Sequence, residues 1–441
     1  MPLSYQHNVE NCLARTIGSN GLLEEHLDDA LQSLTKTLPA LQESLRSGAL
    51  PAFTIVQGME DLTEVMPVAL EFRQNCRDVL ILGTGGSSLG GRTLCGLNSE
   101  ALPSGASPGR ENGPVLHFID NIDPYSFQKL LDRLELARTG LIVISKSGST
   151  AETMSQFMAL LPLFQEAHRP EDLSRFICVI TEPSDNPLRR MARRLGVSCL
   201  DHDPNIGGRY SVFSLVGMLP ALIAGLDIRA LRQGAADVLE AFLSADHLED
   251  NAPAAGAALA VQLNARLGIA STVIMPYEDR LADLGLWFNQ LWAESLGKDG
   301  RGTTPIRALG TVDQHSQLQL YLDGPADKMF TILHHDSRGE GLPIDAFIGD
   351  EESLDYLQKR TLGDLLFVSA EATRDALASN WRPVRHILMD AIDERSLGAI
   401  MMHFMLETIL AAELLGIDPY DQPAVEQGKV IARQKLRAMP L

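Results

Sequence analysis

Residues 141–153 read Leu-Ile-Val-Ile-Ser-Lys-Ser-Gly-Ser-Thr-Ala-Glu-Thr: an apolar, β-branched run, a hydroxyl-rich turn, and the opening of a helix. A run of that length predicts a strand buried on both faces, as in parallel sheets. The composition of 151–161 predicts a helix, and Ser149 with Glu152 has the spacing of a capping box that marks its start. Free backbone N–H groups and the positive end of the helix dipole would face Ser145, Ser147 and Thr150, whose hydroxyls can add hydrogen bonds to an anion. The turn therefore reads as a cradle for a sugar phosphate or nucleotide phosphate. The plainer alternative is an N-capped strand-to-helix connection with solvated hydroxyls.

The same rhythm extends on either side. From Arg77 onward, apolar strands at 79–82, 115–119, 141–144, 176–180 and 197–200 alternate with helical stretches such as 126–136 and 186–195. That is the pattern of a doubly wound parallel sheet, with its ligand site outside the carboxyl ends of the strands. A second, less regular α/β series starts near Thr272, with strands expected at 272–275, 318–322, 329–333 and 384–388 and helices around 281–295 and 397–415. The first sixty residues and the last twenty or so read as helical segments wrapping the two sheets. The Gly/Pro/Ser-rich patch 103–114 reads as an exposed loop within the first sheet. The apolar stretch 212–226 contains Gly217 and Pro220. It is too short for a membrane span and reads as a buried helix.

Composition bounds the function. With 441 residues, 45% of them hydrophobic, the chain can bury more than one core. The net charge of −20, with no Lys/Arg block, argues against nucleic acid as a partner, because binding a phosphate backbone needs a concentrated positive surface. An anionic substrate would need a local positive site in this negative field, for which Lys146, Arg209, Lys298 and Lys429 are candidates. Five cysteines without a close pair argue against a disulfide framework or a zinc cluster and fit a reducing, cytoplasmic setting. The stretch Met1 to Glu10 lacks the apolar core of a signal peptide, and no membrane role is expected.

Further motifs carry chemistry. The 79–82 strand runs into Gly83-Thr84-Gly85-Gly86-Ser87-Ser88-Leu89-Gly90, a turn that lets backbone approach a ligand closely. It fits the dinucleotide fingerprint poorly, since Ser88 stands where a third glycine is wanted, and neither Gly297-Lys298 nor Gly428-Lys429 completes a Walker A loop. Asn205-Ile206-Gly207-Gly208-Arg209-Tyr210-Ser211 places a cation at the edge of the buried 212–226 segment, where it must meet a substrate anion or a structural carboxylate. In 281–298, Leu284, Trp287, Phe288, Leu291 and Trp292 form a helical stripe, and Glu294 falls roughly 90° from its middle. A carboxylate at that margin can serve as a base, or can simply pair with Lys298 at i, i+4. His315 lies in a polar turn before an expected strand. His334-His335 is discounted as a metal pair, because neighbours on a strand point to opposite faces.

Taken together, Gly83–Gly90, Ser145–Thr153, Gly207–Ser211, Glu294–Lys298, Gln314–Ser316 and Asp421–Lys429 resemble the glucose-6-phosphate isomerase, or phosphoglucose isomerase, family, in that family's order and over nearly the whole chain. The resemblance implies an α/β fold of two sugar-isomerase (SIS) type domains, each a mainly parallel sheet flanked by helices, with helical N- and C-terminal extensions. The corresponding boundaries are a helical arm at 1–65 packing on the second domain, domains at 66–230 and 231–420, and an active-site segment with a helix at 421–441. It implies reversible aldose–ketose isomerisation of glucose 6-phosphate and fructose 6-phosphate in glycolysis and gluconeogenesis.

By motif position, Ser145, Ser147 and Thr150 with the Lys146 backbone resemble the phosphate loop, and Gly86, Ser87 and Gly208 resemble the sugar-lining positions. Glu294 matches the base that carries a proton between C2 and C1, Arg209 the arginine that stabilises the enediolate, and Gln422 a substrate-binding glutamine. His315 and Lys429 match the pair associated with ring opening, His315 coming in this family from the neighbouring subunit of a homodimer. The implied partner is a phosphorylated hexose; no metal and no cofactor are implied. Departures are serines at 147 and 149 where many members have threonine, Ala151, and Pro423-Ala424 in a segment that often reads Trp-Gly. Two other readings are a non-catalytic sugar-phosphate-binding module and an isomerase that also accepts mannose 6-phosphate.

Overall fold

The computed structural model describes residues 3–98, 113–344 and 352–440, so the expected loop lies outside the described residues up to residue 112. Among these residues, ten strands form two five-stranded sheets. β1 (Tyr5–Asn8) belongs to the second sheet. β2 (Asp78–Leu82), β3 (Val115–Ile119), β4 (Thr139–Ile144), β5 (Ile177–Thr181) and β6 (Ser198–Asp201) form the first sheet, all parallel, in the order β3-β2-β4-β5-β6. β7 (Ser271–Pro276), β8 (Thr304–Arg307), β9 (Lys328–His335) and β10 (Val384–Met389) complete the second, in the order β1-β10-β9-β7-β8, with only β1 antiparallel.

The strands read as continuous apolar runs because both of their faces are covered. In the first sheet, Val79, Ile81, Ile142, Ile144, Cys178 and Ile180 turn to a central core, while Leu80, Leu82, Leu141, Val143, Ile177 and Val179 pack under the outer helices. This is the period-two alternation of a pleated strand. The second sheet divides likewise, with Ile274, Leu333 and Ile387 inward and Val273, Ile332 and Val384 outward. Both sheets share the central core, whose axis is the Glu394–Leu415 helix packed on Ile228–Leu243 and Ala252–Leu267. That helix is long and apolar enough to cross a membrane, yet 89% of its most apolar window is buried inside the protein, as a core helix requires.

Several expectations are corrected. The 318–322 stretch is a helix, Leu318–Asp323, not a strand; Tyr321 buries its ring, and its hydroxyl donates to Gln317 Oε1 at 2.7 Å, one turn earlier. The missing strand is β8, a partly exposed edge carrying Pro305, which suits proline because an edge can leave a donor position unused. The N-terminal arm is not all helix. β1 pairs with β10, and the Tyr5 hydroxyl lies 2.7 Å from His403 Nδ1 of the core helix. The 212–226 stretch is helical only over Leu215–Ile223, behind a 3-10 turn at Gly208–Phe213. The Glu426–Ala438 helix does not wrap the sheets, since its residues are exposed on every side.

Candidate active site

In the first sheet β2 continues to β3 on one side and the chain then returns to β4 on the other, so the order reverses between β2 and β4. At such a switch point the loops diverge and leave a crevice at the carboxyl ends. The Gly83–Gly90 turn follows β2 and the Ser145–Thr150 turn follows β4, so both flank it. The second sheet reverses between β7 and β9, but its own side chains fill that crevice. Glu278, after β7, accepts from the backbone N–H of His335 at 3.1 Å and lies 2.7 Å from its Nδ1. The hydrogen bond to Glu278 raises the His335 pKa above its ordinary value.

The Ser145–Thr150 turn differs from its expected cap. The Ala151–Ala167 helix starts from Thr150, with no capping box: the Thr150 hydroxyl lies 2.9 Å from Ser145 Oγ, and Ser149 Oγ donates to Ser147 Oγ at 3.2 Å. The hydroxyls thus brace the turn, and the first helical amides keep no partner within the helix. Lys146 Nζ donates to the Pro204 carbonyl at 2.8 Å. Its ammonium is turned to the loop after β6, and its backbone is what remains at the turn.

The second half of the site converges on Arg209, which is 3% exposed within the 3-10 turn Gly208–Phe213. All five guanidinium N–H groups have acceptors. Nε donates to Ser295 Oγ at 2.8 Å, Nη1 to Glu294 Oε2 at 3.3 Å and to Gln422 Oε1, and Nη2 to the carbonyls of Pro419 and, at 3.0 Å, Asp421. Ser295 Oγ is also 2.9 Å from the Tyr210 hydroxyl, and burial pushes the Tyr210 phenol up to about 12, so it remains a neutral bracing group.

Glu294 lies on the Leu284–Leu296 helix, whose apolar stripe is buried as expected, and its side chain is 30% exposed at the margin. Its Oε1 accepts from Gln290 Nε2 at 3.1 Å, one turn back. The simple Glu294–Lys298 pair does not form. The helix ends at Leu296, and Lys298 Nζ instead meets Asp421 Oδ1 at 2.9 Å. Glu294, Lys298, Asp421, Gln422 and the Pro423-Ala424 departure line one cleft of about 610 Å³.

The Gly83–Gly90 turn bridges the two halves. A Cβ on Gly85 would stand 2.8 Å from Gln290 Nε2, and one on Gly86 only 2.1 Å from the Gly208 carbonyl carbon. The backbone of Gly86 and Ser87, in the 3-10 turn Gly85–Ser87, therefore touches the strand of residues that carries Arg209. Contacts thus run from Gly86 to the Gly208–Arg209 backbone and from the Arg209 guanidinium to Glu294 and Gln422, and of these residues Glu294 and Gln422 line the cleft.

The geometry does not bring His315 or Lys429 there. His315 is exposed on the short Val312–Ser316 helix, and Lys429 Nζ pairs with Glu426 at 2.7 Å on the exposed C-terminal helix. Gln290, Ser295 and Tyr210 were missed by sequence reasoning. The i, i+4 spacing of Gln290 and Glu294 was the available signal for the first; for the others there was none beyond adjacency to Glu294 and Arg209.

Comparison with known proteins extends this geometry. A phosphoglucose isomerase family model matches residues 58–324. The chain is 40% identical over 378 residues to a glucose-6-phosphate isomerase of Rubrobacter xylanophilus, covering 86% of this chain and 87% of that protein. The crystal structure of a hypothetical protein from Thermus thermophilus is similar with a TM-score of 0.83 at 31% identity, covering 98% of this chain and 99% of that one. A glucose-6-phosphate isomerase from Chlamydia trachomatis has a similar fold, with a TM-score of 0.69 at 22% identity over 88% of this chain and 76% of that one.

Proposed function

The chain belongs to the phosphoglucose isomerase family, and from that membership we propose how its own residues perform the reversible conversion of glucose 6-phosphate to fructose 6-phosphate. The observation that carries the assignment is the juxtaposition of one partly exposed carboxylate, Glu294, with a fully engaged guanidinium, Arg209, at 3.3 Å. Aldose–ketose conversion needs one base that removes a proton from C2 and returns it to C1. As Glu294 takes the C2 proton, the C–H electron pair forms the C1=C2 bond and the carbonyl oxygen gains negative charge. Arg209 Nη1, already facing Glu294, meets that charge. Because Ser295 and two main-chain carbonyls hold the rest of the guanidinium, little reorganisation accompanies the step. A proton then passes between O1 and O2, and Glu294 delivers its own to C1, so nothing is gained or lost overall.

The Ser145–Thr150 turn, with Ser147 and the Lys146 backbone, binds the phosphate through helix-terminal amides and hydroxyls. Gly86, Ser87, Gly208 and Gln422 hold the sugar. Ring opening moves a proton from the C1 hydroxyl to the ring oxygen and is assigned to His315 with Lys429. Both lie apart from the cleft in a single chain, which supports a homodimer in which each subunit lends His315 to the other. The exposed apolar residues Val430, Ile431 and Leu436 on the C-terminal helix, with Met439 just after it, support the same reading.

Residues 66–230 and 231–420 are proposed as the two sugar-isomerase units, with 1–65 as an arm on the second and 421–441 as a closing segment. The location is proposed as cytoplasmic, in keeping with five free cysteines. The test is conversion of fructose 6-phosphate by the purified protein, read as glucose 6-phosphate through a coupled dehydrogenase. Robust turnover is expected. No turnover, with the phosphosugar still protecting the fold against heat, would leave only a binding module.

A further inference from the structure

A second cluster of chemistry-bearing side chains lies on the outer face of the second sheet, and none of its members lines the Glu294 cleft. His334 on β9 is opposite Leu388 on β10, so His386, two residues before Leu388, projects from the same face. The two Nε2 atoms are 2.8 Å apart. From the Leu362–Ser379 helix above them, Glu371 Oε1 approaches to 3.3 Å from His334 Nε2 and 3.7 Å from His386 Nε2.

We propose that His334, His386 and Glu371 bind a divalent first-row transition cation, zinc being the best fit, which clips β9, β10 and the Leu362–Ser379 helix together.

Four observations support the site. Two imidazoles and a carboxylate are a donor set zinc uses, with the fourth position left to water. The tautomer is suitable, because His334 Nδ1 is 2.9 Å from the His335 carbonyl, which only accepts, so the proton sits on Nδ1 and Nε2 carries a free lone pair. Access exists, since His334 is sealed at 1% side-chain exposure while His386 at 13% and Glu371 at 29% reach solvent. The edges of Phe367 and Tyr277, with ring centroids 5.4 and 6.3 Å from that of His334, wall the inner side.

Without an ion, the His334–His386 contact is a single hydrogen bond between the two Nε2 atoms. With one, the nitrogens must part to about 3.3 Å, set by tetrahedral Zn–N bonds of about 2.0 Å. Arg374 Nη1 donates to Glu371 Oε1 at 2.7 Å and competes for it. Its Nε and Nη2 are separately held by Asp375 at 2.9 and 2.8 Å, so the arginine keeps a partner when Glu371 turns to the ion. The discounted His334-His335 pair does diverge, His335 going to Glu278; the partner of His334 comes from the next strand instead.

The test is titration of the chelator-stripped full chain with Co²⁺ and then Zn²⁺, read by bound stoichiometry, by the visible absorption of tetrahedral Co²⁺, and by thermal midpoint. One equivalent is expected, with a raised midpoint, and affinity should fall at least about tenfold in both Glu371→Gln and His386→Gln. Glu371 is at the surface of its helix, so its variant keeps the fold if the buried pair does not tolerate change. Unchanged affinity in either variant, or no saturable binding to the wild-type chain, would overturn the three-ligand site.

Discussion

Gly86 offers a test of how tightly the catalytic turn is set. A methyl group there would run into the Gly208–Arg209 peptide: the Gly208 carbonyl carbon at 2.1 Å, its oxygen at 2.2 Å and Arg209 N at 2.7 Å. Ordinary carbon–carbon contact is about 3.5 Å, so Gly86→Ala must part the two turns by over ~1 Å. No side-chain rotation relieves a clash with backbone. The bond from Ser211 Oγ to the Gly86 carbonyl, 3.2 Å, would break, and the Arg209 backbone would move while its guanidinium is held by five acceptors.

A misplacement of about 1 Å costs on the order of 10²-fold in rate, or about 2.7 kcal/mol of transition-state stabilisation. Overpacking adds about 1–3 kcal/mol of lost stability. Gly207→Ala is the control from the same turn: a Cβ there meets only Tyr210 Cδ2, at 3.7 Å, an ordinary distance. We therefore expect kcat/KM to fall about 10²-fold in Gly86→Ala and to stay within about threefold of wild type in Gly207→Ala, by the coupled dehydrogenase assay with the folded fraction checked by circular dichroism. Comparable activity in the two variants would refute the reasoning.

Three further outcomes are expected. Glu294→Gln should fold and bind phosphosugar but lose about 10²–10⁴-fold in kcat, the range for a positioned general base; near-wild-type turnover would remove Glu294 from that role. If His315 crosses the subunit boundary, mixing inactive Glu294→Gln and His315→Ala chains should restore about a quarter of wild-type activity, because one site of each two-fold heterodimer is then intact; no restoration would put both residues in one chain's site. Stability should fall in acid. Burial holds His7, His202 and His403 below their ordinary pKa, so below about pH 6.5 the unfolded chain takes up protons that the fold refuses. Each of these histidines then removes up to about 1.4 kcal/mol per pH unit as the pH drops. His335, raised chiefly by its hydrogen bond to Glu278, has the opposite sign, but its contribution is gained as the pH falls through its raised pKa and is complete below about pH 6.5, so it does not oppose the loss there. A urea midpoint at pH 5 equal to that at pH 7 would contradict this balance.

What could be read from the chain follows from how each element is buried. The first sheet was legible because its strands are covered on both faces and so appear as unbroken apolar runs. β8 was not, since Thr304–Arg307 is a partly exposed edge whose Pro305 argues against a strand, and the alternation in 318–322 misled toward one because so short a segment satisfies either period. β1 has no apolar pattern of its own; it is held by pairing with β10 and by Tyr5 on His403, a contact nearly four hundred residues distant in sequence.

The site divides on the same principle. Side chains with a characteristic local setting, Arg209 in its glycine turn and Glu294 at the edge of an apolar stripe, could be picked out singly. The acceptors that orient Arg209 could not, because the carbonyls of Pro419 and Asp421 are main-chain groups that any residue would supply. The grouping of His334, His386 and Glu371 is hidden for a related reason: locally His334 has only His335 beside it, and the parallel register of β9 and β10, with the Leu362–Ser379 helix above them, is what makes the three neighbours. A catalytic group that must move protons has to be reachable, so it sits at a margin that periodicity can detect. The groups that hold it still are buried, and often backbone, and their identity is written in the topology instead.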